Sequence, residues 1–106
     1  MNKNKITDEI VTKMSNLLFI AADETRLKIL LALLDEEKSV GDIQKATGAS
    51  QSLVSHQLQV LKKNNLVSFR KKGNFVYYSL DDSHVNALLQ VAYDHVMEDK
   101  EDESNL

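Results

Sequence analysis

The chain has 106 residues, the length of one domain with a modest core, so a subunit interface is expected to add to it. It has no cysteine, which excludes disulfides and thiolate metal sites, and its formal net charge of −3 argues against a uniformly basic nucleic-acid binder. No signal peptide is evident, and the longest apolar runs, Leu17–Ala22 and Ile29–Leu34, are too short to span a bilayer, which predicts a soluble cytoplasmic protein.

Met1–Lys5 is polar and expected to fray. Ile6, Ile10, Met14, Leu17, Leu18 and Ala21 repeat at helical spacing, predicting a first helix over 6–21. Asp23 offers a cap for a second helix, Glu24–Leu34, with Leu27, Leu30, Leu31 and Leu34 as its core stripe. Asp35–Lys38 reads as a charged connector. Ser39-Val40-Gly41-Asp42 resembles a capping box with Asp in place of Glu, opening a short helix that ends at Thr47-Gly48.

Only Ala49 separates that glycine from Ser50, the expected cap of an amphipathic helix over about 50–64. Val54, Leu58 and Leu61 fall on one side, with Leu53 and Val60 at its edge. Gln51, Ser52, Ser55, His56, Gln59, Lys62 and Lys63 fall on the other, and no acid stands among them. Hydroxyls, amides and ammonium groups suit base edges and phosphates. His56 is assigned to DNA or solvent rather than to metal, being remote in sequence from the other histidines. A short helix, a tight glycine turn and a longer amphipathic helix make a helix-turn-helix.

After Asn65 the period becomes extended. Leu66–Lys72 and Phe75–Leu80 read as strands, with Gly73-Asn74 as the hairpin turn between them, and the whole predicts a wing over 66–80. Arg70, Lys71 and Lys72 are expected at its tip, within reach of flanking phosphates or the minor groove. Asp81-Asp82-Ser83 can cap a last helix over 83–98, whose apolar face is Val85, Leu88, Leu89, Ala92 and Val96. The acidic tail, 99–106, is expected to be disordered.

The charge is unevenly spread. From Ile43 to Leu80 there are six cations (Lys45, Lys62, Lys63, Arg70, Lys71, Lys72) and no acid, a charge of +6 that leaves −9 for the rest. A basic block within an acidic chain marks a local polyanion site. The expected fold is therefore α+β and mostly helical: a winged helix-turn-helix with flanking helices, 6–21 and 83–98. Their apolar stripes exceed what the core can cover, so they predict a homodimer.

The stretches AADETRLKILLALL, SVGDI, SQSLVSHQLQVLKKNNLV and RKKGNFVYYSL resemble the ArsR/SmtB family of metal-sensing repressors over about residues 15–98. The resemblance implies a homodimer whose first and last helices form the interface. It also implies repression through a partly palindromic double-stranded operator. One subgroup of the family senses metalloids through a Cys-x-Cys pair at the start of the helix that begins here Ser39-Val40-Gly41, and both cysteines are absent. A second subgroup binds zinc on the last helix. Its pattern is an Asp, a His two residues on, a second His eleven later, and a His or Glu three beyond. Asp82, His84, His95 and Glu98 fill all four positions.

The spacing is physically sensible for such a site. Eleven residues bring His84 and His95 to within about 20° of one helix face but about 16 Å apart along the axis, too far for one ion. Two such helices packed antiparallel about a two-fold axis bring the start of one beside the end of the other. His95 and Glu98, at i and i+3, converge. Two nitrogen and two oxygen ligands suit tetrahedral zinc, with cobalt and nickel as alternatives. Two other functions are consistent with parts of the pattern. One is a winged-helix regulator of the same family without a metal response. The other is a zinc hydrolase using His84, His95 and a carboxylate, which is disfavoured because no open ligand position or substrate pocket is evident.

Overall fold

A computed structural model describes residues 5–104, with side chains as far as Glu98. Among these residues five helices and a three-stranded antiparallel sheet follow one another. The polar start at 1–4, and residues 105 and 106 of the acidic tail, lie outside the described residues.

Thr7 caps α1 (Asp8–Ala22), its Oγ1 accepting from the Ile10 amide at 3.2 Å. Asp23, in extended backbone, ends α1 and caps α2 (Glu24–Ala32), its Oδ2 accepting from the Arg26 amide at 3.0 Å. The buried side of α2 is Ile29 and Leu30, continued by Leu33, and differs from the expected Leu27-Leu30-Leu31-Leu34 stripe. Leu27 and Leu34 are only partly buried and Leu31 is 37% exposed. Helix α2 packs on α1, α3 and α4, which centres its buried arc on those residues and turns Leu31 into an apolar groove shared with Leu89, Tyr93 and Val96 of the last helix.

The connector contains a short strand the sequence did not signal, β1 (Lys38–Ser39). Ser39 then closes a reciprocal capping box with Asp42 that starts α3 (Val40–Thr47), and Gly48 ends it at φ 75. A side chain there would be strained, which is why glycine holds this turn. Ser50 caps α4 (Gln51–Lys63), its Oγ accepting from the Leu53 amide at 3.2 Å. The far end is a Schellman closure: Asn65 is left-handed at φ 59, its amide reaches the Lys62 carbonyl at 3.1 Å, and the Leu66 amide reaches that of Leu61 at 2.9 Å. Leu61 and Leu66 are both buried, so the backbone turn and the apolar clasp coincide.

Strands β2 (Val67–Lys72) and β3 (Phe75–Leu80) form the hairpin, and β1 pairs with the other edge of β3 through Lys38↔Tyr78 and Ser39↔Tyr77. Lys72 pairs with Phe75, leaving Gly73-Asn74 as a two-residue turn. Gly73 has φ 63 and Asn74 is not left-handed, the pattern of a type II′ turn with glycine first.

The last helix, α5 (Ser83–Ser104), continues past Glu98 where an acidic tail was expected to leave it. No Gly or Pro stands between Ser83 and Ser104 to interrupt it. Of its expected apolar face Val85 and Leu89 are buried, whereas Leu88 and Val96 are 43% and 63% exposed. Helix α1 has no buried residue at all. The core lies instead where α2, α3 and α4 meet, with Ile29, Leu30, Ile43, Val54, Leu58 and Leu61 fully enclosed. At about 1.5–3 kcal/mol for each large apolar side chain buried, this centre fixes the helix-turn-helix. Among the described residues no helix is long and apolar enough to cross a membrane.

Candidate nucleic-acid interface and metal residues

The core residues Val54, Leu58 and Leu61 clamp one side of α4 and so present the other outward. Gln51, Ser52, His56, Gln59, Lys62 and Lys63 are exposed, and Ser55 is half-buried. The face carries donors and acceptors near the helix start and two cations in its last turn, where they also complement the helix dipole. Lys62 is not free in solvent: its Nζ lies 4.0 Å from the centre of the Phe69 ring on β2.

Arg26 is a residue that sequence reasoning missed. Its Nε donates to the Ile20 carbonyl at 2.8 Å and its Nη1 donates to Gln57 Oε1 at 3.1 Å. One half-buried guanidinium thus ties the end of α1, the start of α2 and the middle of α4. No local signal marked it, since α2 also carries Glu24 and Lys28 and the partners of Arg26 lie outside its own helix.

The hairpin divides the three cations expected at its tip. Lys72 flanks the turn, Lys71 precedes it, and both are exposed. Arg70, opposite Tyr77, is instead held by Glu37 of the connector, its Nε donating to Oε2 at 2.8 Å and its Nη2 to Oε1. Arg70 holds the Glu37 carboxyl below the usual carboxylate value, chiefly through this hydrogen bonding, and Glu37 in turn raises Arg70.

At the start of α5, Asp82 Oδ1 accepts from the Val85 amide at 3.0 Å and so caps the helix. Its other oxygen, Oδ2, lies 3.6 Å from His84 Nδ1. The Val85 amide, and to a smaller degree His84, hold the Asp82 carboxyl below its ordinary value. The two side chains are therefore brought together, and His84 is 93% exposed. His95 and Glu98 are exposed three and four turns further along the same helix. Within one chain, no three metal-ligating side chains converge among the described residues. Asp82 and His84 offer one carboxylate and one imidazole side by side, and His95 and Glu98 supply a second imidazole and carboxylate three residues apart on the same helix, residue types chemically suited to a divalent ion.

A helix-turn-helix whose polar helix face is followed at once by a basic hairpin is a winged DNA-binding domain, the class of transcriptional regulators rather than of enzymes. Residues 23–68 match the family described as bacterial regulatory protein, arsR family. The chain is 41% identical over 86 residues to the transcriptional repressor SmtB homologue of Synechocystis, covering 81% of this chain and 65% of that protein. It is 41% identical over 78 residues to the cadmium resistance transcriptional regulatory protein CadC homologue of Staphylococcus aureus, covering 73% and 64%. It thus spans just under two thirds of the length of each. Over 90 residues it is 37% identical to the HTH-type transcriptional regulator NmtR of Mycobacterium tuberculosis, covering 85% and 75%. A homodimeric winged helix-turn-helix DNA-binding domain of Mycobacterium bovis superposes with a TM-score of 0.77 at 28% identity, covering 94% of both chains. The protein belongs to the ArsR family of bacterial regulators.

Proposed function

We propose that this protein is a homodimeric, metal-responsive transcriptional repressor that leaves its operator on binding zinc, cobalt or nickel and so derepresses metal efflux or resistance genes in the cytoplasm. The observation that carries the reading is the layout of α5. One ligand pair, Asp82 with His84, stands at its start, and the other, His95 with Glu98, stands about 16 Å further along. The same helix leaves Leu88, Val91, Tyr93 and Val96 exposed. Helix α1 likewise exposes Val11, Met14, Leu18 and Phe19. Exposed apolar area on this scale marks an interface. A second copy packed with α5 antiparallel covers it and sets Asp82 and His84 of one chain beside His95 and Glu98 of the other.

A divalent ion bound there would supply a positive centre that both chains share. In DNA binding, Gln51, Ser52, Ser55, His56 and Gln59 face base edges in the major groove. Lys62, Lys63, Lys71 and Lys72 meet phosphates, and Arg70 stands behind the wing tip. The dimer spaces its two α4 helices for the half-sites, and the ligand residues of α5 govern that spacing. The names of the SmtB and CadC homologues, a repressor and a cadmium resistance regulator, support the metal response. The decisive experiment is operator binding by the purified dimer with and without zinc. Release by zinc is expected; equal affinity in both conditions selects the regulator without a metal response.

A further inference from the structure

The connector between α2 and α3 is tied at two points to parts of the chain remote in sequence. Asp35 stands in left-handed backbone at φ 59, which Asp tolerates better than most residues but which still needs support. The support is Asn86 of α5. The Asp35 amide donates to Asn86 Oδ1 at 3.0 Å, and Asn86 Nδ2 donates to Asp35 Oδ1 at 2.9 Å. Two residues on, Glu37 takes the two-pronged hydrogen bond of Arg70 on β2. A bidentate pair of this kind fixes direction as well as distance. Immediately after it, β1 pairs with β3. An open cleft of about 480 Å³ lies beside these ties, walled in part by Asp35, Glu37, Asp82 and Asn86.

We propose that Asn86, Asp35, Glu37 and Arg70 form a strut that positions the wing from the start of α5. Asn86 is then a positioning residue for DNA binding. It sits two residues after His84 on the same helix end, so whatever restrains that end is felt at the wing through side chains of one subunit. The wing's role in DNA binding and the metal at α5 rest on the function proposed above; the strut itself does not.

The test uses a nitroxide on the wing turn of the full-length dimer. The chain has no cysteine, so Asn74→Cys accepts a single label. Without metal, Asn86→Ala is expected to raise the mobile fraction of the label while helical content by circular dichroism stays unchanged. Asn86→Asp alone sets two carboxylates face to face and is expected to do the same. Adding Asp35→Asn to Asn86→Asp reverses donor and acceptor across the pair and is expected to restore the original spectrum. An unchanged spectrum in Asn86→Ala overturns the strut, as does a folded reversed pair that leaves the wing loose. In a second arm, Asn86→Ala is expected to cut zinc-driven operator release by about 2–30-fold, the range for residues along a coupling route. Full release with a loosened wing removes the strut from the metal response. If the unsubstituted protein binds no zinc, the metal reading fails, and the metal-free spectra still decide the strut.

Discussion

Lys62, in the last turn of α4, places its ammonium over the ring of Phe69, the third residue of the wing's first strand. Phe69 in turn lies 6.0 Å from Tyr78 across the hairpin, ring centre to ring centre. Helix and wing are thus joined by more than the short chain between them. Phe69→Leu keeps the apolar bulk and removes the ring. It is expected to cost about 0.5–1 kcal/mol, the worth of an exposed cation–π pair, and to lower the denaturant midpoint accordingly. No shift in that midpoint would mean that Lys62 and Phe69 are neighbours without coupling.

Lys71 and Lys72 are the exposed cations nearest the wing turn. Replacing both by Ala should weaken binding to operator and to unrelated DNA alike. It should also flatten the plot of log affinity against log salt by about 0.9 for each phosphate that is no longer neutralised. Titrations at several salt concentrations measure this, and an unaltered slope would take the wing tip out of the interface.

Val91 and Phe19 are 67% and 75% exposed on α5 and α1. A charge at the centre of a covered apolar face is costly to bury. Val91→Asp should therefore shift the protein to monomer in sedimentation at micromolar concentration, and Phe19→Asp should weaken the dimer too. A stable monomer of the unsubstituted protein would count against both the dimer and the shared metal residues.

For the metal response, a coupling of about 1–3 kcal/mol, typical of allosteric proteins, corresponds to a 5–150-fold loss of operator affinity. By linkage, operator DNA must weaken zinc binding by the same factor. His84→Ala and His95→Ala should each abolish the zinc effect and leave metal-free DNA binding nearly intact. A mixed dimer, with His84→Ala in one chain and His95→Ala in the other, is the sharper case. Shared sites place both lesions in one site, so one zinc per dimer should still bind; loss of both would show that the ligands are not shared between chains.

The Glu37–Arg70 pair has a defined pH dependence. Arg70 lowers the carboxyl of Glu37, so the pair's contribution is present above the ordinary carboxylate value and is lost as pH falls through the lowered one. Wing order, followed by a label at the turn, should stay level from neutral pH down to about pH 4.3 and fall only below it. Glu37→Gln should remove that acid step. Loosening well above the carboxylate range would assign the dependence to another group.

The helix-turn-helix was legible in the residues because local chemistry dictates it. The Ser39–Asp42 box, Gly48 in left-handed backbone, the Ser50 cap and the Val54-Leu58-Leu61 stripe each act within one or two turns of chain. The hairpin was legible for the same reason, since a Gly-first two-residue turn between β-branched and aromatic runs sets its own register. The four candidate metal residues were visible as a spacing, and the structure brings Asp82 to His84 within one chain. Tertiary structure alone decided the rest. Lys38 and Ser39 became a strand because β3 offered a free edge. The buried arc of α2 moved to Ile29, Leu30 and Leu33 because three other helices pack there. Arg26 found Gln57, Asp35 found Asn86 and Arg70 found Glu37 across 31, 51 and 33 residues. No periodicity records such pairs. A hydrogen bond between distant side chains depends on where the core has placed their backbones, and that placement belongs to the whole fold.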